Sequence, residues 1–266
     1  MDTARIAVLL EPFLEEFSLS EKQLKQISIY IDLLNRWNAR INLTAIRNEE
    51  ETVTRHFGES FFMASHLFPV RVARTLLSAT ADSTQRVEDS QPSTQCHPER
   101  NRAESEASGE AKSKACPELA EGDPYPSTST KVLDIGSGAG FPAIPLKLWA
   151  PHIHLTMIES NHKKAAFLRE VARTLTLTNV NVITDRAEAL AGGEALQSEV
   201  VTLRAVERFE TILPQAATFL APNGRLALLI GEKQRTHLAA LTAIKWHPPF
   251  PIPQSQTRVL SIGVRV

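Results

Sequence analysis

Apolar positions along the chain fall into three unlike stretches. Over residues 4–68 they recur at helical spacing. Leu24, Ile27, Ile31 and Leu34 share one face of a helix. Ser20-Glu21-Lys22-Gln23 reads as a capping box, and Leu19 and Leu24 are placed to close a hydrophobic staple around it. From Ser78 to Thr130 the pattern disappears into Ser, Thr, Glu, Pro and Ala. Such a segment buries too little surface to offset the entropy of ordering it, and it is too long for an ordinary loop, so a disordered insertion is expected.

From Lys131 onward short apolar runs alternate with helical spacing. Strands are expected at Lys131–Ile135, His154–Ile158, Val180–Thr184, Val200–Arg204, Arg225–Ile230 and Arg258–Val264. Helices are expected near Pro142–Trp149, Lys163–Leu175, Phe209–Leu220 and Glu232–Ala243. Strands separated by helices of this length predict parallel pairing with right-handed crossovers, an α/β fold with a doubly wound sheet. The expected organisation is a helical region (1–77), the insertion (78–130) and an α/β domain (131–266).

Composition narrows the function classes. Of the 266 residues, 42% are apolar and 22% charged, the balance of a globular protein, and the formal net charge is −1. A nucleic-acid partner would therefore have to be attracted by a local basic face. Cys96 and Cys116 have no CxxC partner and read as free thiols in a reducing cytoplasm. His152, His154 and His162 lack companions for a metal, so no metal is expected. No apolar run reaches the ~18–20 residues that cross a bilayer, and acids and a proline interrupt the N-terminus, so neither membrane span nor signal peptide is expected.

The chemistry concentrates at Asp134-Ile135-Gly136-Ser137-Gly138-Ala139-Gly140, directly after the first strand of the α/β region. In open α/β sheets this loop forms the floor of the ligand site, and its glycines let main chain approach a ligand closely. No Lys-Ser/Thr pair closes the loop, which excludes a P-loop. Gly138, Gly140 and Ala143 satisfy a dinucleotide GxGxxA on paper, but in a register displaced from the loop's first glycine. S-adenosylmethionine fits better: methyltransferases that use it carry an acid and then GxGxG here, and the ligand has a sulfonium and an ammonium but no phosphate. Glu159 follows the second strand, where a carboxylate accepts from ribose hydroxyls.

With these residues in place, several segments together resemble the RsmG (glucose-inhibited division protein B) family of 16S rRNA guanine-N7 methyltransferases. They are Trp37-Asn38, Asn42-Leu43-Thr44, Arg55-His56 with Ser60, DIGSGAGFPAIPL, IESNHKKAAFLREVARTL, Arg186-Ala187-Glu188 and Arg204-Ala205, and they cover most of the chain outside the insertion. The resemblance implies a Rossmann-like class I methyltransferase sheet with an N-terminal helical extension, and S-adenosyl-L-methionine as cofactor. It implies cofactor contacts from Gly136, Gly138, Phe141, Glu159, Ala187, Glu188 and Arg204, with Arg204 beside both the methionine part and the target base and so the catalytic candidate. It also implies 16S rRNA of the small ribosomal subunit as partner, a cytoplasmic location and a monomer. The family's fifth strand commonly ends Leu-Lys-Gly, whereas Leu229-Ile230-Gly231 stands here.

Methylation of guanine N7 requires no general base, which agrees with the absence of a Ser/His/Asp or Cys/His set. Phe141 is then expected to stack on or wall the target base, and Lys163, Lys164, Arg169 and Arg173, with Arg36, Arg40, Arg47 and Arg55, to meet phosphates. Structural readings stand beside these. The glycines form a turn in any case, Asp134 is also suited to bracing the loop, Glu188 is an ordinary first-turn acid, and the basic residues also suit a solvated helix face. His56 is expected to hydrogen-bond locally and Trp37 to pack the helical layer. Two rival functions are a nicotinamide-dependent oxidoreductase, disfavoured because Tyr30 and Tyr125 both lie outside the α/β region, and an rRNA-binding assembly factor without turnover.

Overall fold

The computed structural model describes residues 1–69, 129–205 and 208–266. Apart from its last two residues, the expected insertion at 78–130 lies outside them. Helix α1 (Thr3–Leu14) leads into α2 (Glu21–Ile41). The capping box at its start is formed: the Ser20 hydroxyl accepts from the Gln23 N–H at 3.3 Å, and the Ser20 N–H donates to the Gln23 side chain at 2.9 Å. The face that α2 buries carries Ile27, Tyr30, Ile31 and Leu34. A third helical stretch is continuous but changes character along its length. It begins as α3 (Glu49–Glu51), widens into a π-helical segment (Thr52–Gly58) and ends as α4 (Glu59–Leu67). Such widening is frequent at functional sites, and here it carries Arg55 and His56.

The sheet runs through β1 (Lys131–Ile135), β2 (His154–Ile158), β3 (Val180–Ile183), β4 (Ser198–Arg204), β5 (Leu220–Gly231), β6 (Ile244–Trp246), β7 (Phe250–Pro251) and β8 (Arg258–Arg265). Its order is β3-β2-β1-β4-β5-β8-β6, with β7 paired to β8. Between the strands lie α5 (Ala143–Trp149), α6 (His162–Thr174), α7 (Ala187–Leu190) and α8 (Phe209–Thr218). β1 to β5 pair in parallel as the alternation predicts, but β8 runs antiparallel to β5, β6 and β7. The wholly parallel sheet is therefore corrected at one edge. Only a short turn separates β7 from β8, and a connection that short permits only antiparallel strands. The helix expected over Glu232–Ala243 is 3₁₀ over Glu232–Ala240, and β6 and β7, on either side of Pro248 and Pro249, carry too few residues to show a period.

Alternation along the strands divides the interior. Val132, Val200, Ala227 and Leu260 face a core shared with α1, α2, α4, α5 and α6, while Leu133, Val201, Leu228 and Val259 face one shared with α8. Helix α5 is buried at every position, because α4 covers the side that would otherwise meet water. Ile230, where the family carries lysine, is buried in the second core, and Lys233 is exposed on the following 3₁₀ turn. Among the described residues no helix is long and apolar enough to cross a membrane.

Candidate functional site

All three loop glycines adopt positive φ: 69° at Gly136, 55° at Gly138 and 85° at Gly140. The N–H groups of Gly136 and Ser137 donate to the Ile158 carbonyl at 2.9 and 3.1 Å, tying the loop to the end of β2. At Gly140 a Cβ would collide with the Tyr30 hydroxyl and come within 2.8 Å of Ile144. Gly138 is the opposite case. Its φ favours glycine, but the nearest atom to an added Cβ is 3.7 Å away, so the space above it is open to a ligand.

Glu159 is buried just past β2 and has both carboxylate oxygens engaged. One accepts from the Gly138 N–H at 2.8 Å and the other from the Asn161 N–H, also at 2.8 Å. The carboxylate expected to meet a ribose therefore also holds the loop, and each oxygen keeps a second lone pair. Asn161 caps α6, its side chain accepting from the N–H groups of Lys163 and Lys164.

Of the two readings of Asp134, the structure bears out the bracing one. It is fully buried on β1, opposite Thr202 of β4, whose hydroxyl donates to it at 2.6 Å, and it does not line the cleft. Burial pushes its carboxyl up to about 6, with the hydrogen bonds from Ser137 and Thr202 opposing and the charge of Glu159 adding. It braces the loop from below.

A cleft of about 710 Å³ opens above the C-terminal ends of β1, β2 and β4. The chain runs outward from β1 to β3 and then returns to the other side of β1 as β4, so the cleft lies at the point where strand order reverses, the usual ligand position in such sheets. Gly136, Gly138, Phe141, Glu159, Ala187, Glu188 and Arg204 all line it, so the topology brings every residue of the expected site together. The side built from β2, β3 and the segments after them carries the carboxylates Glu159, Asp185 and Glu188, with Lys164 and Arg186 among them. The other carries Arg55, His56, Arg204, Arg208 and Arg258 and no carboxylate of the lining. An anion would therefore meet cations in this cleft as well as carboxylates.

The basic wall is held from the N-terminal helices. Arg204, with its side chain 6% exposed, donates to the Arg55 main-chain oxygen at 2.8 Å and to Glu59 at 3.3 Å, and its Nη1 meets His56 Nδ1 at 2.8 Å. Glu59, 4% exposed, also pairs with Arg258. Burial lowers the pKa of Arg204 and of Arg258 to about 10, and the charge of Arg55 contributes to both.

Phe141 does not offer a face to a base. Its ring lies between His56 (centroids 4.6 Å apart, planes 13° apart) and Tyr30 (5.3 Å, 11°), so its planar surfaces are occupied. Tyr30 also donates its hydroxyl to the Ala139 carbonyl, bracing the glycine loop from α2. Of the expected basic residues, Lys164 and Arg55 line the cleft. Arg169 instead bonds Val182 and Thr184 at 2.9 and 2.7 Å, and Arg47 bonds Asn38 and Asn42. Trp37 packs as expected and also donates its indole N–H to Glu170 at 3.0 Å. The sequence reading missed Tyr30, Glu59 and Arg258, which carry no local motif.

Comparison with known proteins is specific. The family model described as rRNA small subunit methyltransferase G matches residues 23–74 and 118–246. A ribosomal RNA small subunit methyltransferase G from Roseiflexus castenholzii is 31% identical over 93% of this chain and 86% of its own. Proteins of the same name from Chloroflexus aggregans and Streptococcus pyogenes serotype M12 are 30% and 32% identical, over 84% and 80% of this chain and 70% and 67% of theirs. Among solved structures, a SAM-dependent methyltransferase from Aquifex aeolicus is similar at 16% identity with a TM-score of 0.44, covering 52% of this chain and 82% of that one.

Proposed function

The chain belongs to the rRNA small subunit methyltransferase G family, and from that premise we propose that it transfers a methyl group from S-adenosylmethionine to N7 of a guanine in 16S rRNA of the small ribosomal subunit. The observation that carries the cofactor reading is Glu159, fixed by two main-chain N–H groups beside the open space over Gly138. The cofactor fits these residues. Glu159 would take the ribose hydroxyls, Ile135, Ile158 and Ala187 supply apolar walls for an adenine, and the adjacent carboxylates suit a ligand that carries positive charge. S-adenosylmethionine, when bound, supplies the methyl on its sulfonium.

The chain's own work is positioning. Guanine N7 presents a lone pair and no proton, so no residue has to act as base. Aligning nucleophile and donor can contribute up to ~7–11 kcal/mol. Arg204 ends β4 among the guanidinium groups of the cleft, where it would meet both the methionine end and the base. Arg55, Arg208 and Arg258 form the wall suited to RNA phosphates, and a stacked target base must be drawn out at a cost of a few kcal/mol. The reading carries with it a cytoplasmic monomer that needs neither membrane nor metal. Incubation with methyl-labelled cofactor and 30S particles, followed by mapping of the modified nucleotide, tests it. Label on a 16S guanine N7 is expected, and a folded, cofactor-binding protein that leaves 16S rRNA unlabelled would overturn it.

A further inference from the structure

Three contacts fix the His56 ring, and its two hydrogen bonds leave it one protonation state. Its Nδ1 meets Arg204 Nη1 at 2.8 Å. A guanidinium can only donate, so Nδ1 must present a lone pair. The ring proton then sits on Nε2, which donates to the Thr44 hydroxyl oxygen at 2.8 Å. Thr44 is itself oriented, its hydroxyl oxygen accepting from the Ile46 N–H at 3.2 Å and its own N–H donating to Asn38 at 3.0 Å. The ring plane is set by Phe141, stacked 4.6 Å away.

The groups facing the imidazole disfavour a second proton. Arg204 approaches from β4, Arg258 from β8 and Arg55 from the same π-helical segment, while the carboxylate of Glu59 is shared by Arg204 and Arg258. A proton on Nδ1 would break the bond to Arg204 and set an imidazolium among three guanidiniums. Burial first, and then these cations, hold the imidazole down to about 2.

Arg204 shows what this arrangement is for. Three of its five N–H groups are directed at His56, Arg55 and Glu59. The buried Nε has no partner, and one Nη1 hydrogen is unspent. We infer that His56 is a positioning residue, a neutral acceptor that sets the Arg204 guanidinium so that its remaining Nη1–H serves a ligand in the cleft. It is not a proton carrier. Arg204 sets the tautomer, Thr44 accepts the remaining ring proton, and Phe141 holds the ring. The inference deepens the proposed methyl transfer and rests on it for turnover, but its first readout needs no substrate.

That readout is ¹⁵N NMR of the imidazole in the full chain between pH 5 and 8. The Nε2-protonated neutral form is expected throughout, and titration of His56 in that range, or an Nδ1-protonated form, would overturn the inference. Transfer to 30S particles is then measured with His56→Ala and His56→Asn. Ala, which has no acceptor, should lose on the order of 10- to 100-fold in kcat/KM. Asn, whose Oδ1 can replace Nδ1, should recover most of it. A folded Asn variant no better than Ala contradicts the proposal, as does a rate inflection near pH 6.5 that Asn removes. Should Ala fail to fold, Thr44→Val decides: it removes the acceptor of Nε2–H, so a several-fold loss with the ring still neutral and Nε2-protonated supports the inference, and an unchanged rate or an Nδ1-protonated ring opposes it. Absence of transfer by the wild type would count against the functional reading alone, since the NMR result stands apart from it.

Discussion

The two walls of the cleft are built in opposite ways. The carboxylate wall is local: Glu159 binds Gly138, 21 residues before it, and Asn161, two residues after it, both through main chain. The guanidinium wall is assembled across the fold, with Arg204 reaching His56, 148 residues away, and Glu59, 145 residues away, through side chains. One wall therefore exists wherever the strand-loop-strand unit forms. The other exists only when the N-terminal helices have docked on the sheet, so the helical region completes the site as well as covering it.

This contrast can be broken most severely at Glu59. Glu59→Ala leaves Arg204 and Arg258 without their buried carboxylate and should cost about 3–5 kcal/mol in denaturant unfolding, whereas Glu188→Ala, at an exposed acid of the other wall, should stay within about 0.5 kcal/mol. Equal costs would erase the distinction. On the local wall the comparable weak point is Gly140. A side chain there combines a positive φ with a collision against Tyr30 and should cost about 3 kcal/mol. Gly138→Ala, which meets only the backbone penalty, should cost about half as much while still weakening cofactor binding.

Acidity separates the walls by sign. Under the loop, Asp134 in the native state holds its proton up to about 6 while the unfolded chain releases it near 3.8. Asp134 therefore contributes stability that is lost as pH rises through that window, roughly 3 kcal/mol in all, and Asp134→Asn should remove this contribution. His56 acts in reverse. The unfolded chain takes up the proton near 6.5 and the native state refuses it until about 2. Its contribution is lost as pH falls below 6.5, by roughly 2 kcal/mol between pH 7 and 5, so the two oppose each other in the wild type and each appears as the difference between wild type and Asp134→Asn or His56→Asn. Urea unfolding of both variants across pH 4.5–7.5 measures the two slopes.

The same division explains what could be read from the chain. The capping box of α2, β1 to β5 and the glycine loop with Glu159 are short-range features, and each leaves a period or a spacing in the sequence. β6 and β7 leave none, because two or three residues among prolines show no alternation. Asp134 and Phe141 both lie next to the glycines in sequence, which left two readings of the acid open and made the ring look like a base platform. Packing decided both, turning Asp134 under the sheet end as a brace and enclosing Phe141 between His56 and Tyr30. Glu59, Arg258 and Tyr30 acquire their roles only through contacts between distant segments. Arg204 was visible as a charge ending an apolar strand, and its partners were not.

The carboxylate side of the cleft should hold the cofactor's ribose, and Arg55 and Arg208 should serve the RNA, with Arg204 meeting both ligands. Calorimetric titration of S-adenosylhomocysteine into the wild type, Glu159→Gln and the Arg55→Ala/Arg208→Ala pair tests this division most directly. The account predicts that affinity falls at least about tenfold, the equivalent of 1.4 kcal/mol, only for Glu159→Gln. Loss of affinity in the arginine variant with Glu159→Gln unaffected would contradict it.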